Sequence, residues 1–126
     1  MAATILVVED DARAADLIRL MLRSTGHDIV IAENGLQGLK MVRESPPDLI
    51  LLDLMLPGID GFEVLHQIRS DALSANVPVA IVSAKTRTDD KQTASKLGVD
   101  EYLTKPFRKS ELLALVEKLL PEDNDG

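Results

Sequence analysis

Cysteine and tryptophan are absent from the 126 residues, and Phe62, Tyr102 and Phe107 are the only aromatic side chains. Without thiols the chain can form neither a disulfide nor a thiolate metal site, which fits a reducing compartment. Three aromatics are too few to build stacking platforms for nucleic-acid bases. No apolar run approaches the roughly 18 residues that a membrane helix requires. Met1-Ala2-Ala3-Thr4 enters an apolar stretch without the basic leader of a signal peptide. The expectation is a cytoplasmic chain without a membrane segment. Positive charge is also in deficit, with 14 Lys and Arg against 21 Asp and Glu and a formal charge of −7. Such a field repels phosphate backbones, so direct nucleic-acid contact is not expected.

What the chain does have is strict alternation. Five short apolar runs, at Thr4–Val8, Asp28–Ala32, Asp48–Leu52, Pro78–Val82 and Asp100–Thr104, are separated by longer segments of helical character. The first, third and fourth runs are nearly unbroken Ile, Leu, Val and Ala, the pattern of strands buried on both faces. The fifth is more polar and suits an edge. Ala14, Leu17, Ile18, Met21 and Leu22 recur at helical spacing, as do Leu112, Leu113, Val116, Leu119 and Leu120. Gly26 is a natural stop for the first helix. Segment 86–97 is polar, with Ala94 and Leu97 as its only anchors, and predicts a thinly attached helix. One domain over 1–121 with an acidic tail at 122–126 accounts for the whole length.

Alternation of this kind implies a parallel, doubly wound α/β sheet with right-handed crossovers. Ligands in such sheets bind beyond the carboxyl ends of the strands. Those ends carry the reactive side chains: Glu9, Asp10 and Asp11 after the first run, Asp53 after the third, Ser83 at the fourth and Lys105 after the fifth. Each has an ordinary reading on its own, as a helix cap, a turn residue or a solvated lysine. Their coincidence at every one of these ends points instead to one shared pocket. Two carboxylates about 4 Å apart repel by roughly 4 kcal/mol at an effective dielectric near 20. A cluster of them must hold protons or bind a cation. Hard oxygen ligands without histidine or cysteine favour Mg²⁺, with Ca²⁺ or Mn²⁺ as substitutes. A metal that bridges carboxylates to phosphate oxygens, a lysine and a hydroxyl together suit phosphoryl chemistry.

Three blocks, Ile5–Asp11, Asp48–Gly61 and Tyr102–Phe107, resemble the signature stretches of bacterial two-component response-regulator receiver domains, and the similarity runs over residues 4–120. The resemblance implies a flavodoxin-like (βα)5 fold with strand order 2-1-3-4-5. It implies that Asp53 accepts a phosphoryl group, that Asp10, Asp53 and the Met55 backbone carbonyl hold Mg²⁺, and that Glu9 reaches the metal through water. Lys105 would bind the phosphoryl oxygens after a cis Lys105–Pro106 bond, and Ser83 and Tyr102 would form the switch. Asp11, one place beyond the acidic pair, reads as a helix start.

The implied partners are a histidine kinase or histidine phosphotransfer protein and a downstream protein target. Arg13, Arg19, Arg108 and Lys109 are candidate contacts, and the chain would be a monomer or a phosphorylation-dependent dimer. It would be a switch and not an enzyme, beyond self-phosphorylation from small donors and self-dephosphorylation. Met55 and Lys85, two residues beyond Asp53 and Ser83, bear on phosphoryl lifetime. Met55 offers no hydrogen bond to orient water, so slow loss is expected. The run Glu101–Phe107 also resembles receivers attached to winged-helix transcription factors, so a receiver cut from a longer DNA-binding regulator is an alternative, as is a non-phosphorylated scaffold. A haloacid-dehalogenase-type phosphatase would need an acid where Met55 stands. A flavin-binding protein would need a phosphate loop where Glu9-Asp10-Asp11 stands.

Overall fold

The structure, a computed structural model, describes residues 2–85 and 87–120. Thr86, Pro121 and the tail at 122–126 lie outside the described residues, and so does the expected boundary between domain and tail. Strands β1 (Thr4–Val8), β2 (Asp28–Ala32), β3 (Leu49–Leu52), β4 (Val79–Ser83) and β5 (Glu101–Thr104) form one sheet. All neighbours pair in parallel, in the order β2-β1-β3-β4-β5. The helices are α1 (Ala12–Leu22), α2 (Gly35–Glu44), α3 (Gly61–Ser70), α4 (Thr88–Lys96) and α5 (Lys109–Leu119).

The period-two geometry of a strand divides the core. Ile5, Val7, Leu49, Leu51, Ala80 and Val82 pack on one face with Ile18 and Leu22 of α1 and Leu112 and Val116 of α5. Leu6, Val8, Ile50, Leu52, Val79 and Ile81 pack on the other with α2, α3 and Ala94 of α4. The three central strands are buried on both faces, as their unbroken apolar sequences required.

Three strands begin one residue later than expected, each for a local reason. Proline has no N–H to give the ladder, so β4 begins at Val79 and not at Pro78, and it runs on to include Ser83. The Asp48 carboxylate accepts from the Thr4 amide at 2.8 Å just ahead of β3. The Asp100 carboxylate accepts from the Val79 amide at 2.8 Å just ahead of β5.

Helix starts follow the short polar residues that precede them. Asp11 accepts from the amides of Arg13 at 2.9 Å and Ala14 at 3.4 Å, Asn34 from Gln37 at 2.8 Å, and Asp60 from Glu63 at 3.0 Å. Each cap is worth about 1 kcal/mol. After α1 the chain tightens into a 3-10 turn at Arg23–Thr25 and ends at Gly26, whose φ of 74° is the left-handed conformation glycine tolerates. Helix α4 differs from the rest in that Ala94 is its one buried residue, and Arg87 gives its first turn no side-chain cap.

Candidate functional site

The sheet ladder continues one residue past the strands and so places the reactive side chains. The Glu9 amide donates to the Ala32 carbonyl at 3.0 Å, the Asp53 amide to Val8 at 3.1 Å, and the Lys105 amide to Ser83 at 2.9 Å. Glu9, Asp10 and Asp53 thereby bring carboxylate oxygens within 4.8 Å of one another. Glu9 and Asp53 are buried, at 3 % and 6 % exposure, while Asp10 faces solvent. The Lys105 ammonium reaches across, donating to the Glu9 carboxylate and to Asp53 Oδ2, the latter at 3.0 Å. The other Asp53 oxygen accepts from the Met55 amide at 2.9 Å. Met55 is thus tied to the acceptor by its backbone, and its side chain is exposed. Glu9 Oε2 accepts from the Asp11 amide at 3.2 Å. The Lys105–Pro106 bond is cis.

The backbone behind Asp53 is closely supported. The Gly61 amide donates to the Leu54 carbonyl at 3.2 Å. A Cβ at Gly61 would lie 2.5 Å from both the Asp53 carbonyl oxygen and the Leu54 Cα. Only glycine lets the start of α3 approach the acceptor this closely.

Burial and charge act in opposition on these groups. Burial pushes the Glu9 carboxyl up, and the Asp53 charge adds to this; Lys105 and the Asp11 amide oppose the rise without cancelling it. Burial pushes Asp53 up as well, but the Met55 amide and the Lys105 ammonium outweigh it and hold this carboxyl below its ordinary range. Lys105 is held above the ordinary lysine value because its hydrogen bonds to Glu9 and Asp53 outweigh its own desolvation. Of the two buried carboxylates, the one that stays more readily ionised is therefore the one expected to act as nucleophile.

Ser83 is fully buried, and its hydroxyl accepts from the Lys85 amide at 3.3 Å. The Tyr102 hydroxyl donates to the Lys85 carbonyl at 2.7 Å. Its half-buried ring packs against the apolar cluster on the α3 side, and burial, with the Asp90 and Asp53 charges, pushes its phenol up. Two cations sit over rings nearby: Lys91 Nζ lies 5.5 Å from the Tyr102 centroid and Lys85 Nζ 5.8 Å from that of Phe62. Phe62 was no candidate in the sequence, because a single aromatic in an amphipathic helix reads as core.

One ammonium cannot neutralise three carboxylates, and the pocket retains a net negative charge beside its solvent-facing member, Asp10. The donors are oxygens alone, with no histidine or sulfur among them. Both facts fit a hard divalent cation of the magnesium type.

A parallel sheet in the order 2-1-3-4-5 with an acidic, lysine-bridged pocket at its carboxyl edge defines the CheY-like class of flavodoxin-fold signalling domains. The chain belongs to the response regulator receiver domain family, whose model matches residues 5–117. It is 42% identical over 125 residues to the DNA-binding response regulator MtrA of Mycobacterium tuberculosis, covering 99% of this chain and 54% of that protein. The chain spans about half the length of the curated relatives it matches. Among solved structures, the receiver domain of the Pseudomonas aeruginosa sensor histidine kinase PA1611, with magnesium coordinated in its active-site cleft, superposes with a TM-score of 0.87 at 29% identity, covering 94% of this chain and 98% of that one. The Vibrio cholerae chemotaxis protein CheY4 superposes with a TM-score of 0.89 at 24% identity, covering 95% and 100%, and so shares the fold. The chain is a receiver domain of two-component phosphorelay signalling, a switch module by family. Because these regulators are named as DNA-binding, the expectation of a protein without nucleic-acid contact draws no support from them. No helix among the described residues is long and apolar enough to cross a membrane.

Proposed function

We propose that Asp53 accepts a phosphoryl group from a phosphohistidine on a histidine kinase or histidine phosphotransfer protein, and that the modified domain acts on a downstream protein target. The observation that carries this reading is the position of Lys105, hydrogen-bonded to Glu9 and Asp53 at the edge where three carboxylates meet. In the transfer, an Asp53 carboxylate oxygen attacks phosphorus, the P–N bond to the donor imidazole breaks, and the imidazole leaves to take up a proton. The chain's task is to position the carboxylate and stabilise charge on the phosphoryl oxygens. The Met55 amide fixes the Asp53 rotamer through one oxygen, so the nucleophile is oriented before the donor arrives. Lys105 is within reach of both Asp53 and the phosphoryl group it would carry, and Ser83 offers a hydroxyl donor from β4.

Glu9, Asp10, Asp53 and the Met55 backbone carbonyl would hold Mg²⁺, with Glu9 acting through water. The ion supplies charge neutralisation for the incoming phosphoryl oxygens. Lys105 already balances part of the pocket charge, and Asp10 keeps its open side accessible. Residues 1–121 make up the receiver, with 122–126 as an acidic tail. The domain modifies itself and does not turn over a separate substrate. A second reading, a receiver serving a DNA-binding output elsewhere in a longer regulator, is supported by the half-length match to MtrA.

Intact mass after incubation with acetyl phosphate and Mg²⁺ tests the first reading, alongside Asp53→Asn and a chelated sample. A single phosphoryl adduct that requires both Asp53 and the metal is expected. An adduct that persists in Asp53→Asn would mean that another carboxylate is the acceptor.

A further inference from the structure

Helix α4 is held very differently at its two ends. Its amino end has no side-chain cap, and the preceding loop is held by side chains that can exchange partners: the Ser83 hydroxyl on the Lys85 amide and the Tyr102 hydroxyl on the Lys85 carbonyl. Arg87 and Asp89 form a fully exposed pair there, which adds little.

The carboxyl end is locked. Arg69, in the last turn of α3, donates through Nε to the Gly98 carbonyl at 3.0 Å and through Nη1 to Val77 at 2.6 Å and Ala75 at 3.3 Å. Its Nη2 donates to Asp100 Oδ2 at 2.9 Å, and that same oxygen accepts from the Val79 amide at 2.8 Å. The Arg69 side chain is only 18% exposed. A partly buried guanidinium is stable only while its donors are occupied. One side chain therefore ties together the end of α3, the loop before β4 and the turn between α4 and β5. Gly98 fits this clasp because its φ is 90° and a Cβ there would lie 3.3 Å from Arg69 Nε. The Val99 amide closes the turn on the Ala94 carbonyl at 3.1 Å.

We propose that Arg69 is the pivot of the switch, a positioning residue that pins the carboxyl end of α4 so that phosphorylation displaces the amino end alone. This rests on the reading of Asp53 as acceptor. A change at Asp53 and Ser83 enters α4 through Lys85, at the uncapped end. With the far end tied by Arg69 to the Gly98 carbonyl and the Asp100 carboxylate, and Arg69 itself held by the Ala75 and Val77 carbonyls, the helix tilts about Gly98 and does not slide or melt. The displacement is then greatest in the first turn, on the surface carrying Asp89, Asp90 and Lys91.

The test is amide hydrogen exchange by mass spectrometry on the whole chain, with and without acetyl phosphate and Mg²⁺, with intact mass reporting the adduct. In the unmodified sequence, phosphorylation is expected to change exchange at Ala84, Lys85 and Arg87–Lys91 by about tenfold, and at Leu97–Asp100 by less than about twofold. In Arg69→Gln the phosphorylation-dependent change spreads to Leu97–Asp100, and in Arg69→Lys, which can keep only part of the clasp, it spreads less. A merely structural arginine would raise exchange at Leu97–Asp100 equally in both states and leave the difference between them unchanged; that result overturns the pivot. So does an equal change at both ends of α4 in the phosphorylated unmodified chain, which needs no variant. Absence of any adduct removes the reading of Asp53 as acceptor and the pivot with it. Should Arg69→Gln fail to fold, Asp100→Asn is used instead, since it removes the charge while keeping an acceptor for the Val79 amide.

Discussion

The Tyr102 hydroxyl donates to the carbonyl of Lys85, the residue whose amide donates to the Ser83 hydroxyl. A residue on β5 and a residue on β4 thus grip the same point of the loop leading to α4, one through each face of its backbone. Removing the tyrosine hydroxyl in Tyr102→Phe leaves the ring packing intact and the Lys85 carbonyl without this donor. The expected cost is about 1 kcal/mol in urea unfolding. Exchange at the Lys85 and Arg87 amides should rise while the rate of phosphorylation from acetyl phosphate stays within about twofold of the unmodified chain, since nothing at Asp53 has changed. A tenfold fall in that rate would show that the hydroxyl serves the chemistry and not the loop.

Among the described residues, Lys105 is the one cation between the buried carboxylates of Glu9 and Asp53. In Lys105→Met the aliphatic volume is largely kept, and Glu9 and Asp53 face each other without a counter-charge. Metal-free stability at pH 7 should fall by about 2 kcal/mol, at the lower end for a broken buried pair because the lysine is partly solvated. Excess Mg²⁺ should recover part of that loss. Urea midpoints with and without the ion provide the comparison, and a variant as stable as the parent without metal would refute the electrostatic account.

The pH dependence follows from the same three groups and from Tyr102. The Lys105 pKa is raised in the folded state, so its contribution is complete below the ordinary lysine value of 10.5 and is lost as pH rises through the folded value. The Asp53 pKa is lowered, so its contribution is present above the ordinary 3.8 and is lost as pH falls through the folded value. The Glu9 pKa is raised, so its contribution is complete below the ordinary 4.5 and is lost as pH rises through its folded value. Glu9 and Asp53 therefore oppose each other on the acid side, while Lys105 and Tyr102, whose phenol is also pushed up, both lose their contributions on the alkaline side. Metal-free unfolding should show a shallow acid limb and a distinct alkaline loss, and Lys105→Met should show a smaller alkaline loss, with the part due to Tyr102 remaining. Equal alkaline limbs in the two proteins would contradict this assignment.

Gly61→Ala places a methyl against the Asp53 carbonyl oxygen and the Leu54 Cα, backbone atoms that cannot rotate away. A loss of about 2 kcal/mol is expected from the overpacking. Phosphorylation should slow by about tenfold or more, because the displaced strand end carries the nucleophile. Gly26→Ala serves as the control: it costs stability through its left-handed φ of 74° but has open space around it, and should leave the rate unchanged.

The architecture could be read from the chain because parallel central strands have to be apolar throughout and the reactive side chains follow them directly. Glu9, Asp10, Asp53 and Lys105 needed only strand ends to be brought together, and Ser83 closes β4. The grip of Tyr102 on Lys85 was not legible, because its acceptor is a backbone carbonyl, a group that every residue carries. Arg69 was hidden for the same reason: three of its four acceptors are carbonyls, and its aspartate lies on another segment. The strand limits at Asp48, Pro78 and Asp100 slipped by one residue where a carboxylate or a missing N–H, and not hydropathy, ends the pairing.

The sheet separates two apolar clusters that meet only through the strand backbones. Substitutions on the α1 and α5 side, such as Leu112→Ala, and on the α3 side, such as Val64→Ala, should therefore have additive effects on stability. The two halves of the molecule are free to diverge at different rates: one layer can acquire new surface partners over generations of mutation while the other conserves its moving parts.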